Sequence, residues 1–129
     1  MLGLQKLITE AKKRGVFLKV NVEEAEEIQK ATLKKLLSKA QDTAFGKIHH
    51  FNEVVESKQI LHDFQETNAP GDYLKMLPWW TRSRLGEENV TWPGFIKNYA
   101  VSSGTSDGSS KYIPVSDQML KHIKRASLR

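Results

Sequence analysis

The sequence has no cysteine in its 129 residues. Disulfides and thiolate chemistry are thereby excluded, and the composition fits a reducing, cytoplasmic interior. Long apolar runs are missing too: the opening Met1, Leu2, Leu4, Leu7 and Ile8 are soon followed by charge, too short for a secretory core, and nothing approaches a membrane span. Asn89-Val90-Thr91 spells a glycosylation sequon, which means nothing without secretion. Histidine is scarce, and the neighbours His49 and His50 cannot face one metal from a regular helix or strand, so no metal site is expected from His49, His50, His62 or His122. No Gly-x-Ser-x-Gly elbow surrounds Ser103, which removes a serine-hydrolase reading. Asp63, Glu66 and Asp72 lack a spacing that selects an acid and base pair.

The formal charge of +5 raises the question of an anionic partner, but its distribution answers it. Glu23, Glu24, Glu26 and Glu27 crowd the start of one expected helix, and Lys34, Lys35 and Lys39 lie toward its end, as the helix dipole favours. No basic stripe is interleaved with aromatics, so neither nucleic acid nor membrane is expected as a partner.

Periodicity predicts a mostly helical chain. Leu4, Leu7, Ile8 and Ala11 mark a first helix ending near Gly15. Asn21 with Glu24 opens a second, whose apolar face is Val22, Ala25, Leu33, Leu36, Leu37 and Ala40, and which Gly46 should close. Ser57 is the expected cap of a short helix carrying Ile60, Leu61 and Phe64, which the breaker cluster Asn68-Ala69-Pro70-Gly71 ends. Asp72 should cap another, with Tyr73, Met76, Leu77 and Trp80 filling a core and the Tyr73 hydroxyl needing a partner if buried. Residues 86–94 read as a connection anchored by Trp92. Residues 95–101 and then Lys111, Tyr112 and Ile113 read as two strands, the second stopped by Pro114, and Ser116 should cap a last helix with Met119, Leu120 and Ile123 on one side.

Between those strands lies the most informative stretch: Ser102, Ser103, Gly104, Thr105, Ser106, Asp107, Gly108, Ser109, Ser110 and Lys111. Gly104 and Gly108 let backbone N–H groups approach an anion, the hydroxyls of Ser102, Ser103, Thr105 and Ser106 donate hydrogen bonds, and Lys111 adds a compact positive charge. A flexible Gly/Ser turn remains the competing reading. The glycines stand too close to Lys111 for a Walker loop, and Gly-x-Gly-x-x-Gly is absent. Asp107-Gly108 is the expected turn dipeptide of a hairpin.

This hydroxyl-rich loop closing on lysine resembles the first core motif of adenylate-forming enzymes. Thr43-Ala44-Phe45-Gly46-Lys47 with His49 and Phe51, then Asp72-Tyr73, Gly86-Glu87, Trp92-Pro93-Gly94 and Lys111-Tyr112-Ile113-Pro114-Val115-Ser116 extend the likeness. In order and spacing they resemble the auxin-responsive Gretchen Hagen family of acyl acid amido synthetases, its bacterial members most closely, from about Ile28 to about His122. The resemblance implies an α/β fold, mostly helical with one β-hairpin carrying the phosphate loop. It implies that residues 1–129 are a single incomplete domain, the amino-terminal portion of a large ATP-binding domain, in which residues 121–129 begin a helix that should continue. The implied substrates are ATP with Mg2+, a carboxylic acid, and an amine or amino acid. The implied phosphate-binding residues are Ser102, Ser103, Gly104, Thr105, Ser106 and Lys111. Catalysis by this piece alone is not expected. An acyl-CoA ligase fragment and a non-catalytic helical interaction module built around Trp79 and Trp80 are the alternatives, and oligomeric state is not readable.

Overall fold

In this computed structural model the described residues are 22–103 and 110–127, with only the backbone of Val22 and Ser103. The expected first helix, the Asn21 cap and the Asp107-Gly108 turn lie outside them. The chain divides into two units, Met1–Leu33 and Lys34–Arg129. Of the first, the structure describes the beginning of α1 (Val22–Ala40), where Lys30 sits between Glu26 and Glu27 at 2.9 and 3.0 Å on an exposed surface. Within α1 the apolar stripe is only partly used: among its described side chains Leu36 is exposed, Ala25 and Leu33 are half-buried, and Leu37 and Ala40 are buried.

The second unit continues with α2 (Ala44–Ile48), α3 (Phe51–Glu56), α4 (Ile60–Thr67) and α5 (Tyr73–Arg84), then β1 (Asn98–Ser103), β2 (Ser110–Val115) and α6 (Asp117–Ser127). This bears out the mostly helical chain with one antiparallel hairpin. The core is built from Leu37, Ala40, Phe51, Val54, Val55, Ile60, Val90, Ile96 and Val115. An aromatic cluster adjoins it: Phe45 meets Trp79 edge-on at 5.2 Å and Phe51 at 5.8 Å, and lies flat on His49 at 4.0 Å.

Gly46 does not close a helix; α1 ends at Ala40, and Gly46 is buried inside α2. Thr43 explains why. Its hydroxyl donates to the Ala40 carbonyl at 2.6 Å and accepts from the Gly46 N–H at 3.0 Å, folding the chain back so tightly that a Cβ on Gly46 would lie 2.1 Å from the Ala40 oxygen. The glycine serves close approach, which periodicity cannot reveal.

The first free N–H groups of α2 are met from far along the chain, Ala44 donating to the Asn89 carbonyl and Phe45 to the Val90 carbonyl, both at 2.8 Å. Helix N-termini leave such donors unpaired, and residues 86–94 supply the acceptors. That segment is a connection, as expected, but Val90 anchors it at 1% exposure, while Trp92 is only half-buried. Asn89 closes the segment on itself by accepting from the Gly94 N–H at 2.8 Å and donating its own N–H to the Gly94 carbonyl at 3.1 Å.

Asp72 caps α5 as expected, accepting from the Lys75 N–H at 3.0 Å. Pro78 lies within this helix. Leu74 and Pro78 share its exposed side, so water can meet the carbonyl that proline leaves free. The helix ends in a Schellman turn: Gly86, at φ 95°, donates to the Ser83 carbonyl and Glu87 to the Arg82 carbonyl, both at 3.1 Å. Ser57 does not cap α4; Gln59 holds that position, and the Ser57 hydroxyl instead accepts from the Gln59 N–H and donates to Asp63. Ser116 starts α6 by accepting from the Met119 N–H at 3.1 Å, but Met119 and Ile123 remain about half exposed.

β1 runs later than expected and β2 is longer at both ends, so that Pro114 sits inside β2 opposite Tyr99 instead of ending it. Alternate residues of a strand send their N–H groups the same way. Tyr112 sends its N–H away from β1 to the Tyr73 hydroxyl, so Pro114, two residues on, occupies an outward position where no ladder bond is lost.

Candidate functional site

The hairpin register sets Ser102 directly across from Lys111 and Ser103 across from Ser110. Cross-strand partners share a face, so Ser102 and Lys111 of the expected phosphate-binding set project together from the base of the loop. Gly104, Thr105 and Ser106 lie outside the described residues, as does the side chain of Ser103. Ser102 is exposed and Lys111 half-buried, and among the described residues no carboxylate pairs with the Lys111 ammonium.

α5 holds this strand with two side chains. Tyr73, at its first position, accepts the Tyr112 N–H at 3.2 Å, and its ring lies 5.4 Å beneath the Lys111 ammonium. The same ring packs on Trp80 at 5.6 Å between centroids. Arg84, in the last turn, lays its guanidinium over the Tyr112 ring at 3.9 Å. Arg84 was not legible as part of this arrangement: its only local signal is a basic residue at a helix C-terminus, which the dipole already explains. On β1, the Tyr99 hydroxyl is buried with no hydrogen-bond partner among the described residues. Burial pushes its pKa above the ordinary 10.0, with the Arg84 charge opposing, and the phenol stays neutral.

Elsewhere the side chains select no ligand. A groove of about 630 Å³ between α2 and residues 86–94 is lined by Lys39, Lys47, Asp42, Glu87 and Glu88, a mixture that favours neither sign. An apolar groove of about 290 Å³ is lined by Leu36, Trp92, Met119 and His122. His50 and His62 are paired with Glu53 and Asp63, and Ser57 donates to Asp63, not to a histidine, so no nucleophile and base are aligned there. Among the described residues no three His, Cys, Asp or Glu side chains converge to hold a metal ion. No helix among the described residues is long and apolar enough to cross a membrane.

A mostly helical unit presenting a Ser/Gly-rich hairpin braced by one helix defines a domain class, and comparison with known families supplies its membership. Residues 17–129 match the GH3 family N-terminal domain, and the chain belongs to the GH3 family. No curated protein gives a significant match.

Proposed function

We propose that this chain contributes the triphosphate grip of an ATP-dependent acyl acid amido synthetase. In that reaction a carboxylate oxygen attacks the α-phosphorus of ATP and pyrophosphate leaves; an amine or amino acid nitrogen then attacks the acyl carbon of the adenylate, AMP leaves, and the amine loses a proton. Family membership supports the reaction class, and one observation carries the assignment of roles: Ser102 and Lys111 face the same way at the base of the loop, the lysine unpaired among the described residues. Ser102, Ser103, Gly104, Thr105, Ser106 and Lys111 bind the β- and γ-phosphates, with donors oriented before charge moves onto the departing pyrophosphate. Magnesium enters with the nucleotide, and the acid and the amine or amino acid are met by other parts of the family's architecture, in a cytoplasmic setting. The interaction-module alternative gains nothing, because Trp79 packs on Phe45 and Trp80 on Tyr73.

The test is calorimetric titration of the chain with magnesium ATP and with inorganic tripolyphosphate. A hydrogen bond to a charged group contributes about 1.5–3 kcal/mol, so Lys111→Ala should weaken both ligands by about tenfold to a hundredfold. Unchanged affinity for both would remove the assignment.

A further inference from the structure

Lysine is a poor anion ligand until something orders it. Its four-carbon stem carries a large rotamer entropy, which binding must quench. Lys111 follows the loop on β2, and one side chain of α5, Tyr73, meets both its ammonium and the backbone beside it. The geometry points to Tyr73 as a positioning residue for Lys111, an inference that rests on the phosphate-binding reading above.

Tyr73 acts on the lysine twice. Its ring lies under the ammonium at 5.4 Å, within reach of a cation–π attraction, which holds the charge beside the start of α5 without neutralising it. Its hydroxyl accepts the N–H of Tyr112, the next residue along, and so fixes the strand from which Lys111 springs. A carboxylate in this place would draw the ammonium into an ion pair that phosphate would have to break; a phenol ring orders it and leaves its donors free. Tyr73 is itself held, being the first residue of a helix capped by Asp72 and packed on Trp80. It needs no contact with the nucleotide.

The probe is inorganic tripolyphosphate, titrated calorimetrically into the wild-type chain, Tyr73→Leu, Tyr73→Phe, Lys111→Ala and the Tyr73→Leu/Lys111→Ala double variant. Loss of an exposed cation–π contact corresponds to about a two- to fivefold weakening for Tyr73→Leu. Tyr73→Phe keeps the ring and should retain the larger part of the affinity. In the Lys111→Ala background Tyr73→Leu should have no further effect, an outcome that a merely structural tyrosine would not give. Independently of any variant's folding, the Lys111 Hε resonances of the wild-type chain should lie upfield of those of the other lysines through the Tyr73 ring current. Equal Hε shifts, or a Tyr73→Leu effect that is the same with and without Lys111, overturns the inference alone. Unchanged tripolyphosphate binding in Lys111→Ala overturns the phosphate-binding reading, and this inference falls with it.

Discussion

Replacing Gly46 with alanine sets two rules of helix stability against each other. In a helix interior alanine is favoured over glycine by up to about 1 kcal/mol, so propensity alone predicts a more stable protein. The structure predicts the opposite. The new methyl would lie 2.1 Å from the Ala40 carbonyl oxygen, 2.9 Å from its carbon and 3.0 Å from the Gln41 Cα, all backbone atoms that no rotamer change can move aside. Relief requires α2 to withdraw by about 1 Å from the end of α1, at an overpacking cost of about 1–3 kcal/mol. That withdrawal stretches the two buried bonds of the Thr43 hydroxyl, at 2.6 and 3.0 Å, and losing one adds about 1–3 kcal/mol. The net expectation after the propensity gain is a loss of about 1–5 kcal/mol, a fall of about 1–3 M in the urea midpoint for a chain of this size. Gly86→Ala is the reference: its φ of 95° strains any other residue, but no atom lies within 4 Å of its added methyl, so it should lose only about 1–2 kcal/mol. A Gly46→Ala midpoint at or above wild type would refute the account of this turn.

Three further outcomes follow from the same coordinates. Thr43→Val should lower stability by about 1–2 kcal/mol in urea titrations, with Thr43→Ser recovering most of it, because the hydroxyl and not the methyl joins Ala40 to Gly46. Ser83→Ala should raise stability in urea titrations by about 0.5–1 kcal/mol, since the buried Ser83 hydroxyl has no partner among the described residues and alanine is the better helix former; a loss would refute this reading. The Glu87 carboxyl is held below its ordinary 4.5 by hydrogen bonds from Arg82, so its contribution is complete above that value and disappears as acid protonates it. Midpoints followed downward from about pH 5 should therefore fall more steeply for wild type than for Glu87→Gln, and parallel curves would show the pair to be idle.

What could be read from the sequence was local. Asp72 and Ser116 were legible as caps because a short acceptor three residues before its donor is a pattern within one turn. The helical spacing of Tyr73, Met76, Leu77 and Trp80 and the need of the Tyr73 hydroxyl for a partner were legible too, but all four side chains are half-buried instead of filling a core, and the partner, Tyr112, is 39 residues away with no local signature. Gly46 and Pro114 were misread for one reason. Each residue type ordinarily terminates an element, whereas here Gly46 admits a neighbouring carbonyl and Pro114 occupies the unpaired side of an edge strand. Val90 was passed over for Trp92 because size suggests an anchor, while burial depends on where the carbonyls of residues 89 and 90 must point. Of the candidate site, residue type and spacing single out Ser102 and Lys111 as candidates; that they stand opposite one another is a matter of register.

The pairing of Ala44 and Phe45 with the carbonyls of Asn89 and Val90 gives the chain an order of assembly. A five-residue helix is far below the length that persists alone in water, so α2 matures only once a stretch some 45 residues later has returned to receive it. Everything between, α3 through α5, is enclosed by that closure. The amides of Ala44 and Phe45 thus act as sentinels: their exchange with solvent deuterium reports whether the ring of chain between them and Val90 is shut, and both should be released together when it opens.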